Sequence, residues 1–156
     1  MYKNTEHITE IIGFGSDGEG IAKPDGFTVF VPSAVKGDIA RIRIIKEKKN
    51  FGYGKLLEVV TPSPLRNTPA CDVFPKCGGC SMQSVGYEYQ LEYKKDKVID
   101  CLTRIGGFKN ITAASVTGSE PHLYYRNKAQ FPVTETPDGT APVPFVIAAY
   151  SELVPS

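Results

Sequence analysis

Three cysteines, Cys71, Cys77 and Cys80, stand within ten residues in the run CDVFPKCGGC, with the spacing C-x5-C-x2-C. Thiolates three positions apart can share a metal when the chain between them turns sharply. Gly78-Gly79 allows that turn, because glycine tolerates left-handed backbone angles. Three thiolates in so short a loop suit an iron–sulfur centre completed by a distant fourth ligand. They also suit zinc, which takes four thiolate or imidazole ligands. Spacing alone does not choose between the two, and the plainer reading is of free or buried cysteines without a metal. The fourth cysteine, Cys101, falls three residues after Val98 on the apolar side of an expected helix, where a free thiol acts as a small hydrophobe. His7 and His122 have no metal spacing and are given no role.

A second constellation is electrostatic. Lys36, Arg41, Arg43, Lys46, Lys48, Lys49 and Lys55 face only Asp38 and Glu47 across that stretch, a local charge of +5 in a chain whose formal net charge is +1. Overall charge therefore announces no polyanionic partner, and any such signal is local. Phe51 and Tyr53 are interleaved with the cations. Lys and Arg neutralise phosphates while rings stack on bases, so Arg41, Arg43, Lys46, Lys48, Lys49 and Phe51 are candidate contacts to single-stranded nucleic acid. The alternative is an ordinary solvated strand face with Lys48 and Lys49 in a turn. Arg126 and Lys128, with Gln130, form a further outward row that would extend the surface.

The elements that must position these groups follow from texture. Up to about Val60 the chain is rich in Gly, Ile and Val, and short apolar runs alternate with turn signals. Strands are expected at Ile8–Phe14, Phe27–Val31, Asp38–Lys46 and Phe51–Val60, with tight turns at 15–20 and 24–26. Several short strands at this spacing predict a small closed barrel. Three prolines in 61–69 forbid a continuous strand or helix and mark a boundary. Tyr87, Leu91, Lys94, Val98, Leu102 and Ile105 recur at helical spacing, with Ser84 placed to cap the start and Gly106-Gly107 to end it. From Tyr124 to Val133 alternation returns, with Tyr125, Ala129, Phe131 and Val133 inward, followed by a hairpin turn at Asp138-Gly139. The expected fold is mainly β with α: a barrel over 1–62, a cysteine loop and helix over 63–108, and the start of a central β region over 109–156. No apolar run is long enough to span a bilayer, and the N-terminus MYKNTEHITE has no signal-peptide texture. A cytoplasmic protein with reduced thiols and no membrane partner is expected.

Taken in order, these motifs resemble a known family. The stretch GSDGEGIAKPDGFTVFVPSAVKGDIARIRIIKEKKNFGYGKLLEVVTPSPLR resembles a TRAM domain, a small RNA-binding barrel of OB-like shape. CDVFPKCGGCSMQ followed by YEYQLEYKKDKVIDCLTRIGGF resembles the cluster-binding region of the RumA/RlmD/TrmA-type RNA uracil-5-methyltransferases. YYRNKAQFPV is similar to the start of that family's central domain, so the resemblance runs from about Ile8 to Val133. It implies a [4Fe-4S] cluster held by four cysteines, three of which match Cys71, Cys77 and Cys80. It implies RNA as partner, 23S rRNA above tRNA because TRAM and cluster occur together, and S-adenosylmethionine as methyl donor. No residue here matches the family's fourth cluster cysteine, its S-adenosylmethionine-binding domain, its nucleophilic cysteine or its base. The expectation is thus an N-terminal RNA-recognising portion that does not methylate alone, or else a stand-alone RNA-binding module. After Asp138-Gly139 the chain reads APVPFVIAAYSELVPS and departs from the family, which has a Gly-Phe-Tyr strand there.

Overall fold

The computed structural model describes residues 3–76 and 78–125. Five strands, β1 (Glu6–Phe14), β2 (Gly20–Ala22), β3 (Thr28–Val31), β4 (Ile39–Glu47) and β5 (Phe51–Thr61), close into a barrel in the order β1-β2-β3-β5-β4. All neighbours are antiparallel except β3 and β5, which run parallel. This is the OB-like closed barrel the sequence leads one to expect, and closure removes the free edges at which chains pair wrongly. Along β4 the alternation is strict where it matters: Ala40, Ile42 and Ile44 are buried, while Arg41 and Arg43 are exposed. The core joins these three to Ile11, Ala22, Val29, Val31 and Ala34, with Phe27 and Leu56 packed against them.

β2 is not expected from the sequence, which reads Gly20 as the end of a turn. The barrel needs glycine there. A Cβ on Gly20 would lie 2.8 Å from both the Ala34 carbonyl oxygen and Ile11 Cγ2. The strand begins at the one residue that lets the neighbouring backbone close in.

The proline-rich connector is tied to the barrel by a buried carboxylate. Asp38 is fully buried. It accepts hydrogen bonds from the Val35 and Ser63 backbone N–H groups at 2.8 and 2.9 Å and from Arg66 Nε at 3.0 Å, and it pairs with Arg66 Nη2. Arg66 Nη2 also donates to the Ser33 carbonyl at 3.1 Å. Residue 66 in turn bridges antiparallel to Val85, flanked by Asn67 N–H to Ser84 O at 2.7 Å and Gly86 N–H to Leu65 O at 3.0 Å. The cysteine loop is therefore an excursion between two pinned ends, and Asp38 anchors its stem.

One helix follows, α1 (Tyr87–Asp100), continued by a single π-helical turn over Cys101–Ile105 and ended at Gly106 and Gly107, the latter at φ +70°. Ser84 is not its cap. Ser84 is buried in the stem, and Gly86 takes the N-cap position with no side-chain hydrogen bond. The expected apolar seam is not buried either: Val98, Leu102 and Ile105 are 52%, 37% and 85% exposed, and Cys101 is exposed rather than in a core. The reason is geometric. α1 meets the barrel through Tyr93, which stacks edge-on against Phe14 at 5.5 Å and donates to the Gly15 carbonyl, and through Lys97, which donates to the Ser16 carbonyl. Beyond that contact a cavity separates the helix from Gly13–Ser16, with Cys101 and Ile105 on its helix side. Tyr125, expected to face inward, is 70% exposed. The rest of that expected strand, with Arg126, Lys128 and the Asp138-Gly139 turn, lies outside the described residues. No described helix is long and apolar enough to cross a membrane.

Candidate functional site

The cationic stretch divides into two parts. Arg41 and Arg43 point outward from β4, but each has a carboxylate opposite. Arg43 meets Glu6 of β1 at 2.6 Å, and Arg41 meets Glu58 of β5 at 3.4 Å. Both pairs are about half exposed, so they neutralise charge locally more than they stabilise the fold. Lys46, Lys48 and Lys49 are exposed at the far end of the β4–β5 hairpin and make no ion pair among the described residues. Three of the cations that make no ion pair thus gather at the hairpin tip, while Lys55 is exposed opposite Arg43 on β5 and Lys36 is exposed before β4.

Beside that tip lies a cluster of three rings. Phe51 meets Phe30 at 5.6 Å and Tyr53 at 5.7 Å, both edge-to-face, and Phe30 meets Tyr53 at 6.1 Å. Lys48 Nζ stands 5.8 Å from the Phe51 ring centre, and Lys46 is the cross-strand partner of Tyr53. All three rings are half-buried, so each keeps part of its surface toward solvent. Phe30 was not singled out by the sequence. Its signal was there, since it alternates outward between buried Val29 and Val31. Its place beside Tyr53 depends on the parallel β3–β5 pairing that closes the barrel.

The cysteine loop packs against this side of the barrel. Pro75, Gly78, Cys80 and Ser81 share a cavity of about 290 Å³ with Phe30, Tyr53 and Glu19. Gly18 makes the approach possible: it has φ +87°, and a Cβ there would lie 2.7 Å from Met82 Cγ. Cys71 is half-buried, while Cys80 is exposed and accepts a hydrogen bond from Gln83 Nε2 at 3.2 Å. Cys77 lies outside the described residues. Among the described residues no group of three or more metal-ligating side chains comes together. The donor set is chemically suited to a thiophilic centre: free thiols on one loop, which turns at Gly78 with φ +72°. A larger cavity, about 440 Å³, lies between Gly13–Ser16 and the helix, bordered by Tyr93 and Cys101.

Comparisons with known proteins find similarity over most of this chain. The model of the TRAM domain matches residues 9–57. An uncharacterized RNA methyltransferase of Clostridium acetobutylicum is 46% identical over 136 residues, which is 86% of this chain and 30% of that protein. One from Synechocystis is 40% identical over 129 residues, 83% of this chain and 28% of that protein. Among solved structures, the Pyrococcus abyssi tRNA (uracil-54, C5)-methyltransferase is 32% identical, covering 65% of this chain and 22% of that one, at a TM-score of 0.41. Residues 9–57, which make up most of the β-barrel, thus match the TRAM domain, and a helical region follows the barrel at Tyr87–Ile105. The chain as a whole resembles RNA methyltransferases at the level of the family, and spans less than a third of the length of the curated relatives it matches.

Proposed function

We propose that this chain is the RNA-gripping N-terminal portion of an S-adenosylmethionine-dependent RNA (uracil-5-)-methyltransferase. The observation that carries the reading is the lysine tip of the β4–β5 hairpin beside the Phe30–Phe51–Tyr53 rings on a TRAM barrel. Lysines neutralise phosphates and rings take stacked bases, which together hold a single strand without needing a defined sequence. Arg126 and Lys128 would lengthen the same surface. Cys71, Cys77 and Cys80 would ligate a [4Fe-4S] cluster, with a fourth ligand from elsewhere, and the cluster would fix the loop against the barrel. Zinc is the alternative metal. S-adenosylmethionine and the residues that act on uracil would belong to a further domain.

The relatives' names state no ribosomal substrate, so the leaning toward 23S rRNA is not kept above tRNA, and both enter the test. Fluorescence anisotropy with a tRNA, a 23S rRNA fragment and an unstructured RNA of equal length should give binding that weakens steeply with salt. Affinity that is absent, or flat between 50 and 200 mM salt, would remove the RNA reading. A stand-alone RNA-binding module is the second reading, favoured by a barrel that closes on its own core. Anaerobic reconstitution separates the two. Iron with acid-labile sulfide, lost in Cys80→Ser but kept in Cys101→Ser, supports the methyltransferase portion, and RNA binding without either supports the module.

A further inference from the structure

The cavity between the ring cluster and the cysteine loop has walls of unlike chemistry. Phe30 and Tyr53 supply aromatic surface on the barrel side, and Pro75, Cys80 and Ser81 close it from the loop side. Its volume, about 290 Å³, falls at the small end of ligand cavities and suits one flat ring system. Two carboxylates line it, exposed Asp17 and Glu19, and the less exposed Glu19 is the one held in place. Glu19 is half-buried and folded back over its own turn, with Oε2 accepting from the Asp17 backbone N–H at 2.9 Å. This contact fixes the group before any ligand arrives. An acidic rim repels phosphate, so the backbone of a bound strand would stay outside. The phosphate-binding cations stand next door: Lys46 lies across from Tyr53, and Lys48 lies over Phe51.

We infer that this seam takes a single unstacked RNA base, with the strand's phosphates on Lys46, Lys48 and Lys49 and the base between the barrel rings and the cysteine loop. The inference rests on the RNA reading above and gives it a site. A carboxylate accepts hydrogen bonds only, so the base must present donors at its edge. Guanine offers N1–H and the N2 amino group side by side, a pair that one carboxylate can take together. Adenine offers an amino group beside an acceptor, which the carboxylate disfavours. The seam therefore selects guanine. The site is also composite: the barrel alone has the stacking rings but lacks the opposing wall, so base capture requires the cysteine loop in place.

The test uses the 156-residue chain and short single-stranded RNAs carrying either one central guanine, one adenine or one fluorescent pteridine analogue of guanine, which keeps the N1–H and the amino group and whose fluorescence falls on stacking. Binding should quench the guanine analogue and favour the guanine strand over the adenine strand. Phe30→Leu and Tyr53→Leu keep apolar volume but remove the ring faces. Each should weaken binding about 5- to 100-fold, the range of one base–aromatic stack, and reduce quenching. The salt dependence should stay unchanged. Glu19→Gln should leave quenching intact and erase the guanine preference. Strong binding without quenching, and with affinity within twofold in both ring variants, would overturn the seam while leaving RNA binding standing. A guanine preference that survives Glu19→Gln would overturn the role of the carboxylate. Absence of RNA binding in the unaltered chain would instead sink the functional reading itself. Circular dichroism of each variant separates lost stacking from lost fold.

Discussion

At the scale of single residues, Asp38 and Arg66 decide how the two halves of the described chain are joined. Burial by itself raises the Asp38 carboxyl. The Arg66 hydrogen bonds, the Ser63 and Val35 N–H groups and the Arg66 charge outweigh it, and hold the group below its ordinary value of 3.8. In the window between the folded value and 3.8, the unfolded chain binds more protons than the folded one, so stability rises with pH across it. The contribution is fully present above the unfolded value and is lost as pH falls through the folded one. Asp38→Asn should cost about 3 kcal/mol near neutral pH, the lower part of the range for breaking a buried pair, because partly exposed Arg66 keeps some access to water. Thermal melts of both proteins from pH 7 down to pH 2.5 check this. The gap between them should narrow only below about pH 4, and a gap constant to the lowest pH would show that the charge of Asp38 does not matter.

At the scale of elements, the β4–β5 hairpin separates neutralised from available charge. Lys48→Ala or Lys49→Ala should lower the slope of log affinity against log salt by about 0.7 each, as for one lost phosphate contact on a single strand. Arg43→Ala should lower it less, since Glu6 already occupies that guanidinium. Equal slopes for all three would mean that RNA displaces Glu6. What the sequence discloses about these elements depends on distance along the chain. The alternation of Ala40, Ile42 and Ile44 against Arg41 and Arg43 is local, so β4 is legible with its faces. The helical spacing from Tyr87 to Ile105 is local too, and so is its glycine stop. The pairing of Arg43 with Glu6 and of Phe30 with Tyr53 spans tens of residues and appears only on barrel closure. The same reason misplaces Cys101. Periodicity gives the face of a helix on which a residue lies, but not how far along its length a neighbour follows. Here the barrel's contact ends near Lys97. The cysteine spacing was visible, whereas the seam that Cys80 borders needed the loop docked on the rings.

At the scale of the whole molecule, the issue is whether barrel and cysteine loop act as one body. The stem is fixed through Arg66 and Asp38, and nearer its tip the loop comes close to the barrel where Met82 lies over Gly18. Two physical terms make Gly18 irreplaceable. Its φ of +87° is strained for any residue with a Cβ, and that Cβ would lie 2.7 Å from Met82 Cγ. Gly18→Ala should therefore carry a backbone term of about 1–2 kcal/mol and a separate steric term against Met82. Combining it with Met82→Ala distinguishes them. The double variant should keep the backbone term and lose the steric one, giving a favourable coupling energy in a double-mutant cycle. The readout is where the chain opens. In Gly18→Ala, limited proteolysis should cut faster within residues 68–83 while hydrogen exchange at the buried β4 amides of Ile42 and Ile44 stays slow. That pattern would show a loop that lifts from an intact barrel. If β4 exchange accelerated together with cleavage, the loop and barrel would unfold as one cooperative unit, and docking of Met82 would be part of the barrel's own stability rather than a separable contact.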